Sequence, residues 1–377
     1  MQFKDVIGQE AVKQKLIWSV KENHVPHAQL FLGPAGSGKL PLALAYAQYI
    51  LCPNRTETDS CGVCPTCQKM QKLVHPDLHF VVPTATTKKV KSNPESDLFM
   101  EEWREYVLQN QGYVDTSSWY VFLDVENKQG YMSVRDAASL LRKLNMKSYE
   151  GEYKIAIIWM AEKMRVDTAN KLLKLLEEPP EKTVFLLIAE DSDQLLATIK
   201  SRTSLMKIPA ININKVENAL VERLGCDAGQ AHDAALISEG NWLNACHFVK
   251  ESEDRKYFFT TFQQWMRLCF KAAYPELIDF STNVKGLGRE KQKEFLEYGL
   301  NIFHNSLLFN NNMSNDVMLP ADEKNFTKNF APFINMRNVA QICELFEESI
   351  NQIERNANAS IVFLDDSFKM SKLLRVK

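Results

Sequence analysis

The stretch Ala28-Gln29-Leu30-Phe31-Leu32-Gly33-Pro34-Ala35-Gly36-Ser37-Gly38-Lys39-Leu40 decides the fold. Its first five residues are mostly apolar, stop at a Gly-Pro turn and read as a buried strand, and helical sequence follows from about Lys39 to Leu51. A glycine-rich turn between strand and helix is the setting of a phosphate-binding loop. The glycines let successive backbone N–H groups converge at a helix N-terminus, and a lysine placed like Lys39 reaches the outer phosphates. Gly33, Gly36, Ser37, Gly38 and Lys39 are therefore the candidate nucleotide-binding residues. The next position calls for a Ser or Thr hydroxyl to hold Mg²⁺, and it is Leu40. A leucine cannot ligate a metal, so the loop is expected not to support hydrolysis, while binding of ATP is left open.

Working outward, the apolar runs Leu78 to Val82, Lys154 to Ile158 and Thr183 to Ala189 alternate with helical sequence at Ser133 to Leu144 and Asp167 to Glu178, the latter stopped by Pro179-Pro180. Strands this uniformly apolar argue for a parallel sheet covered by helices on both faces, an α/β fold. Trp119 to Leu123 reads as a further strand. The polar segment 84–118, with one helix around Ser96 to Asn110, reads as an insertion or a mobile surface arm. Beyond Pro209 the strand signals fade into short helices. From Arg255, the series Phe258/Phe259, Phe262, Trp265/Met266 and Cys269/Phe270 recurs at helical spacing, as do Ile342, Leu345/Phe346 and Ile353. These stripes read as the core of a helical bundle. The expected division is an α/β domain over 1–208, a small helical domain over 209–250 and an all-helical domain over 251–377.

Length and charge agree. At roughly 150 residues per domain, 377 residues give two to three domains. Forty-five Lys+Arg against 47 Asp+Glu leave a net charge of -2. A protein that coats nucleic acid with its whole surface is strongly basic, so contact with DNA is expected to be local or made through partners. No apolar run approaches the ~20 residues of a membrane span, and a soluble, cytoplasmic chain without membrane contact is expected.

The acidic residues that would complete an ATPase site are missing where they are expected. The run Ile155 to Ile158 leads into Trp159 and Met160, which can neither hold Mg²⁺ nor act as a base. Glu162 lies a little further on. Asp124 and Glu126 imitate the pattern of an apolar run followed by an acid, and they read as an ordinary solvent-facing strand end.

The cysteines divide into two groups. Cys52, Cys61, Cys64 and Cys67 lie within a short segment broken by Pro53, Gly62 and Pro65, whereas Cys226, Cys246, Cys269 and Cys343 are scattered through helical sequence and read as core thiols. Two Cys-x2-Cys steps bring thiolates onto one ion and the longer loop returns the first, giving a closed, structural, tetrahedral zinc module over about 52–67. His75 and His79 are the alternative ligands.

Taken together, these features resemble the bacterial clamp-loader AAA+ subunits of DNA polymerase III. The resemblance rests on Gly8-Gln9-Glu10, His27-Ala28-Gln29-Leu30-Phe31 before the loop, the cysteine module after its helix, Asn170-Lys171-Leu172-Leu173-Lys174-Leu175-Leu176-Glu177-Glu178-Pro179-Pro180 and Thr198-Ile199-Lys200-Ser201-Arg202-Thr203, in that order. It covers most of the chain outside residues 84–118. With Asn356-Ala357-Asn358 in a C-terminal helical run, the chain is similar to the delta-prime branch of that family. The resemblance implies an AAA+ P-loop domain, a helical lid at 209–250 and a helical collar at 251–377. Leu243 stands where active members carry a nucleotide-sensing arginine, and with Leu40, Trp159 and Met160 it argues against an ATPase of the gamma/tau type.

Arg202, in Ser-Arg-Thr where the family has Ser-Arg-Cys, matches the arginine finger given in trans to a neighbour's ATP. The implied protein is a hetero-oligomeric stator beside gamma/tau and delta subunits, working on the sliding clamp and primer-template DNA through the complex, with no catalytic centre of its own. The alternatives are a gamma/tau-type ATPase using Asp124 or Glu162, and a zinc-containing DNA-binding protein.

Overall fold

Five strands, β1 (Ala28–Leu32), β2 (Leu78–Val81), β3 (Lys154–Trp159), β4 (Thr183–Ala189) and β5 (Ser204–Lys207), form one sheet in the order β2-β3-β4-β1-β5, and every neighbouring pair is parallel. The computed structural model describes residues 1–125, 128–310 and 319–376, and it divides into the units Met1–Val249 and Lys250–Lys377.

Successive strand residues face opposite sides, which explains the unbroken apolar runs. Phe31, Ile155, Ile157, Trp159, Val184, Leu186 and Ile188 enter one core, and Leu30, Ala156, Ile158, Phe185, Leu187 and Ala189 enter a second. The first core is covered by α1 (Glu10–Lys21) and α2 (Lys39–Leu51), and all 13 residues of α2 are buried. Helix α3 (Pro65–Gln71) leaves the cysteine segment, with Cys64 as its N-cap.

The segment 84–118 is not a surface arm. It contributes α4 (Met100–Gln109), which carries the fully buried Trp103. That indole packs against Trp159 with ring centroids 4.8 Å apart, against Trp119 at 5.3 Å and against Phe80 at 6.2 Å. Trp119 to Leu123 is helical instead of a strand, in α5 (Thr116–Phe122). Its aromatic and β-branched residues favour a strand by propensity, but packing overrides that preference. Asp115 caps the helix by accepting the Ser118 N–H at 2.8 Å. Helical spacing then sets both Trp119 and Phe122 against Tyr106, at 5.3 and 5.4 Å.

The second core is covered by α6 (Val134–Leu144), with a Ser133/Asp136 capping box, and α7 (Val166–Glu177). A short α8 (Ala197–Lys200) precedes β5. This edge strand escapes sequence reading because Ser204, Leu205 and Lys207 are exposed, so no apolar run marks it. Helices α9 (Ile213–Leu224) and α10 (Ala228–Ile237) pack with the start of α11 (Trp242–Lys271) around Val216, Leu220, Ala231 and Ala235.

The second unit holds the rest of α11 with α12 (Tyr274–Lys285), α13 (Arg289–Asn310), α14 (Ala321–Phe330), α15 (Val339–Glu354) and α16 (Ala359–Leu373). Its core is aromatic, as the periodicity indicates. Trp265 stacks on Phe280 at 5.5 Å, touches Phe346 and Phe363, and donates its N–H to Ser367 Oγ at 2.8 Å. Phe270 departs from the stripe and is 47% exposed. Among the described residues, no helix is long and apolar enough to cross a membrane.

Candidate functional site

The glycine loop joins β1 to α2, as its sequence requires. Gly36 and Gly38 have φ of 66° and 86°, the left-handed region that a side chain resists. Space also demands a glycine at Gly36, where an added Cβ would lie 1.9 Å from Asn241 Oδ1. The loop is thus built like a phosphate cradle, yet its lysine faces inward. Lys39 is 6% exposed. Its ammonium donates to the Gly33 and Pro34 carbonyls at 2.9 and 2.5 Å and pairs with Glu190 Oε1 at 3.3 Å. Burial pulls its pKa below the usual lysine value, and Glu190 opposes that shift. The cation that would meet a phosphate is engaged by its own loop and by a carboxylate at the end of β4. Ser37 is fully buried with its hydroxyl unpartnered, and Leu40 packs into the first core.

The space left beside the loop is about 20 Å³, bounded by Gly36, Gly38, Lys39, Tyr113, Trp159 and Glu190 among others. That is no more than the volume of a water molecule, whereas pockets for small molecules hold ~300 to 1,000 Å³. Trp159 fills its position by joining the aromatic cluster of the 84–118 segment. Met160 turns the chain at φ 59° and is buried.

The rival acids do not replace the missing ones. Glu162 Oε1 accepts the Glu190 backbone N–H at 2.8 Å, its other oxygen is buried without a partner, and burial raises its pKa. Asp124 is not at a strand end. It follows α5 at φ 58° and faces Lys88 across 4.0 Å, with both side chains in solvent. Glu126 lies outside the described residues. Leu243 is partly buried against the core of α9 and α10.

Arg202 lies between α8 and β5, with its side chain 33% exposed. Its Nε donates to Glu177 Oε1 at 2.6 Å, Nη2 pairs with the same carboxylate, and Nη1 donates to the Thr198 carbonyl at 3.0 Å. Glu177 is the last residue of α7 and is itself about half exposed.

The four clustered cysteines converge. Their sulfurs lie within 4.8 Å of one another, with Cys52–Cys61 at 3.6 Å, Cys61–Cys67 at 3.9 Å and Cys52–Cys64 at 4.0 Å. A tetrahedral ion with metal–sulfur bonds of ~2.3 Å sets sulfurs about 3.8 Å apart, so the spacing fits such an ion, and it is far from the ~2.05 Å of a disulfide. Backbone N–H groups of Cys61, Cys64 and Cys67 point at Cys52, Cys61 and Cys64 sulfurs at 3.4, 3.4 and 3.5 Å, the contacts that stabilise thiolates. These four residues could hold a metal. His75 and His79 stand apart from the cluster: His75 Nδ1 accepts the Asp77 N–H at 3.2 Å, and burial pulls His79 down to about 4. Of the remaining thiols, Cys226 and Cys269 are buried, and Cys246 and Cys343 are partly so.

Sequence reading missed three participants at the loop. Glu190 directly follows the apolar run of β4, so its position at a strand end is legible in the sequence. Tyr113 carried no signal, because its place depends on how the inserted segment folds. Gln9, whose Nε2 bridges the Ser37 and Pro209 carbonyls at 3.0 and 2.7 Å, joins residues 200 apart in sequence.

Comparison with known proteins follows the same line. The family model described as DNA polymerase III, delta subunit, matches residues 8–212. A DNA polymerase III subunit delta' of Pseudomonas aeruginosa is 31% identical over 191 residues, covering 50% of this chain and 45% of that protein. The delta' subunit of Bacillus subtilis is 27% identical, over 57% of this chain and 52% of its own. The tau/gamma subunit of Haemophilus influenzae is 26% identical, over 62% of this chain but 28% of its own. The chain spans about half the length of the delta' relatives it matches.

Proposed function

The chain belongs to the DNA polymerase III delta-prime family of clamp-loader subunits, and on that premise we propose that it is a stator in the loader ring, contributing Arg202 to a neighbour's ATP site while carrying out no ATP chemistry itself. It would sit beside gamma/tau and delta subunits in a hetero-oligomer and act on the sliding clamp and primed DNA through that complex. The observation that carries this reading is the contrast between the buried Lys39, engaged by Gly33, Pro34 and Glu190, and the partly exposed Arg202, paired with a carboxylate that is itself about half exposed.

An arginine finger supplied in trans is worth ~10³ to 10⁵ in rate, or about 4 to 7 kcal/mol at the transition state. Exposed ion pairs such as Arg202–Glu177 are worth ~0 to 1 kcal/mol. The γ-phosphate therefore outcompetes Glu177 for the guanidinium, and the tether is no obstacle. Zinc is the proposed metal at Cys52, Cys61, Cys64 and Cys67. All four positions would be taken by thiolates, so its part is to fix the segment after α2. Residues 209–250 would serve as the lid and 251–377 as the collar.

The decisive experiment measures ATP hydrolysis by the chain alone and after reconstitution with its ring partners. Hydrolysis by the isolated chain, lost on Lys39→Ala, would refute the stator reading in favour of an ATPase of the gamma/tau type. Metal analysis of the purified chain should find about one zinc per chain, and a folded, metal-free protein after mild purification would count against the module.

A further inference from the structure

The phosphate loop is closed by particular residues. Tyr113, 3% exposed, comes from the turn that ends the inserted helix α4, where Gly112 N–H donates to Val107 O at 2.8 Å and Tyr113 N–H to Asn110 O at 2.9 Å. Its ring lies beside Gly38, where an added Cβ would be in van der Waals contact with Cε1 at 3.4 Å, and its hydroxyl accepts the Ile7 N–H at 2.8 Å. On its other side the ring meets Trp242 with centroids 5.9 Å apart, and the Arg223 guanidinium lies over both rings at 5.9 and 5.8 Å. The backbone of the loop is held from the same direction, since Trp242 N–H donates to Gly36 O at 3.3 Å and Gln9 bridges Ser37 O to Pro209 O.

We infer that this loop has an internal occupant: Tyr113 fills the space beside the glycines and joins them to the start of α11, and Glu190 takes the charge of Lys39, so that the site is held together without nucleotide. A bound nucleotide would supply two things here, negative charge for the lysine and contacts bridging the loop to the helices that follow Pro209. Glu190 provides the first. Tyr113, Trp242 and Gln9 provide the second, and all three lie outside the loop's own motif. The inserted segment thus acts on the site as a ligand made of the chain itself, which gives its aromatic packing a role that polar composition did not suggest.

This inference depends neither on Arg202 nor on ring assembly, so it is tested on the full-length chain alone. Amide hydrogen exchange at residues 241–249 and calorimetric titration with ADP and with pyrophosphate are the measurements. The wild-type chain should give no binding heat with either ligand, and its protection at 241–249 should be the same with and without ADP. Tyr113→Ala combined with Glu190→Thr should lower that protection at least tenfold and admit ADP, and Lys39→Ala added to the pair should abolish the gain. Tyr113→Phe, which removes only the acceptor for Ile7 N–H and keeps the ring, gives a milder variant that should fold and exchange severalfold faster. Binding of ADP by the wild-type chain at micromolar concentration would overturn the inference, because the closure would then be that of an ordinary empty site. Unchanged exchange in both the double variant and Tyr113→Phe would overturn it equally.

Discussion

Lys39 and Arg202 present the same chemistry with opposite outcomes. Each is a cation in a motif that would meet ATP phosphates, each is paired with a glutamate of its own chain, and each also donates to backbone carbonyls. Lys39 is 6% exposed behind Tyr113 and Trp159, while Arg202 keeps 33% of its side chain in solvent next to an edge strand. The pairing residue does not decide whether a charge remains usable. Burial does, because a partner must be desolvated to reach a buried cation, whereas an exposed pair exchanges partners at little cost.

The strongest test of this comparison is Arg202→Ala in a reconstituted loader. DNA- and clamp-stimulated ATPase should fall by ~10³ or more with assembly intact, and wild-type rates would remove Arg202 from the mechanism. Lys39→Ala should leave the assembled ATPase unchanged but lower stability of the isolated chain by about 1 to 3 kcal/mol in urea, from the lost charged hydrogen bonds and the stranded Glu190. A large ATPase defect with unaltered stability would reverse the two roles.

A third buried charge sharpens the point. Asp366 in α16 is 1% exposed, accepts from Ser349 Oγ at 2.8 Å through one oxygen, and leaves the other without a partner. Burial raises its pKa to about 7. A raised folded-state pKa contributes stability that is fully present below the unfolded value near 4 and is lost as pH rises through about 7. Asp366→Asn should therefore raise the melting temperature at pH above ~7 and have little effect near the unfolded carboxyl pKa, and an equal shift at both ends would show that the carboxylate does not titrate there. The smallest effect is expected for Glu177→Gln, which keeps an acceptor beside Arg202 and should change stimulated ATPase less than about fivefold, the range of an exposed pair.

Much of this architecture was legible because the sheet is parallel and buried on both faces, so each inner strand announces itself as an apolar run. Two strand assignments failed for opposite physical reasons. Trp119 to Leu123 has strand composition but packs by helical spacing against Tyr106, and β5 is a strand whose exposed side chains carry no apolar signal. At the site, the departures at Leu40, Trp159 and Met160 could be read from the sequence, since they stand at positions of fixed spacing from the loop and from β3. The replacements could not. Tyr113 reaches Gly38, and Gln9 reaches Pro209, only through the tertiary fold. Glu190 follows an apolar run and so has a sequence signal, but its pairing with Lys39 depends on β4 lying next to β1 in the sheet.

The closure around Gly38 also bears on what a single substitution can do here. Leu40→Thr would place a metal-binding hydroxyl beside a space of about 20 Å³ and a lysine already committed to Glu190. On its own it would gain nothing and would place a polar group where Leu40 is 3% exposed. Installing ATP chemistry here would require changes at Tyr113, Glu190, Leu40 and the residues after β3 together, because each of them fills or engages a different part of the site. Because the space is filled and the lysine committed, a single catalytic group placed in this loop would find neither room for a nucleotide nor a free cation beside it.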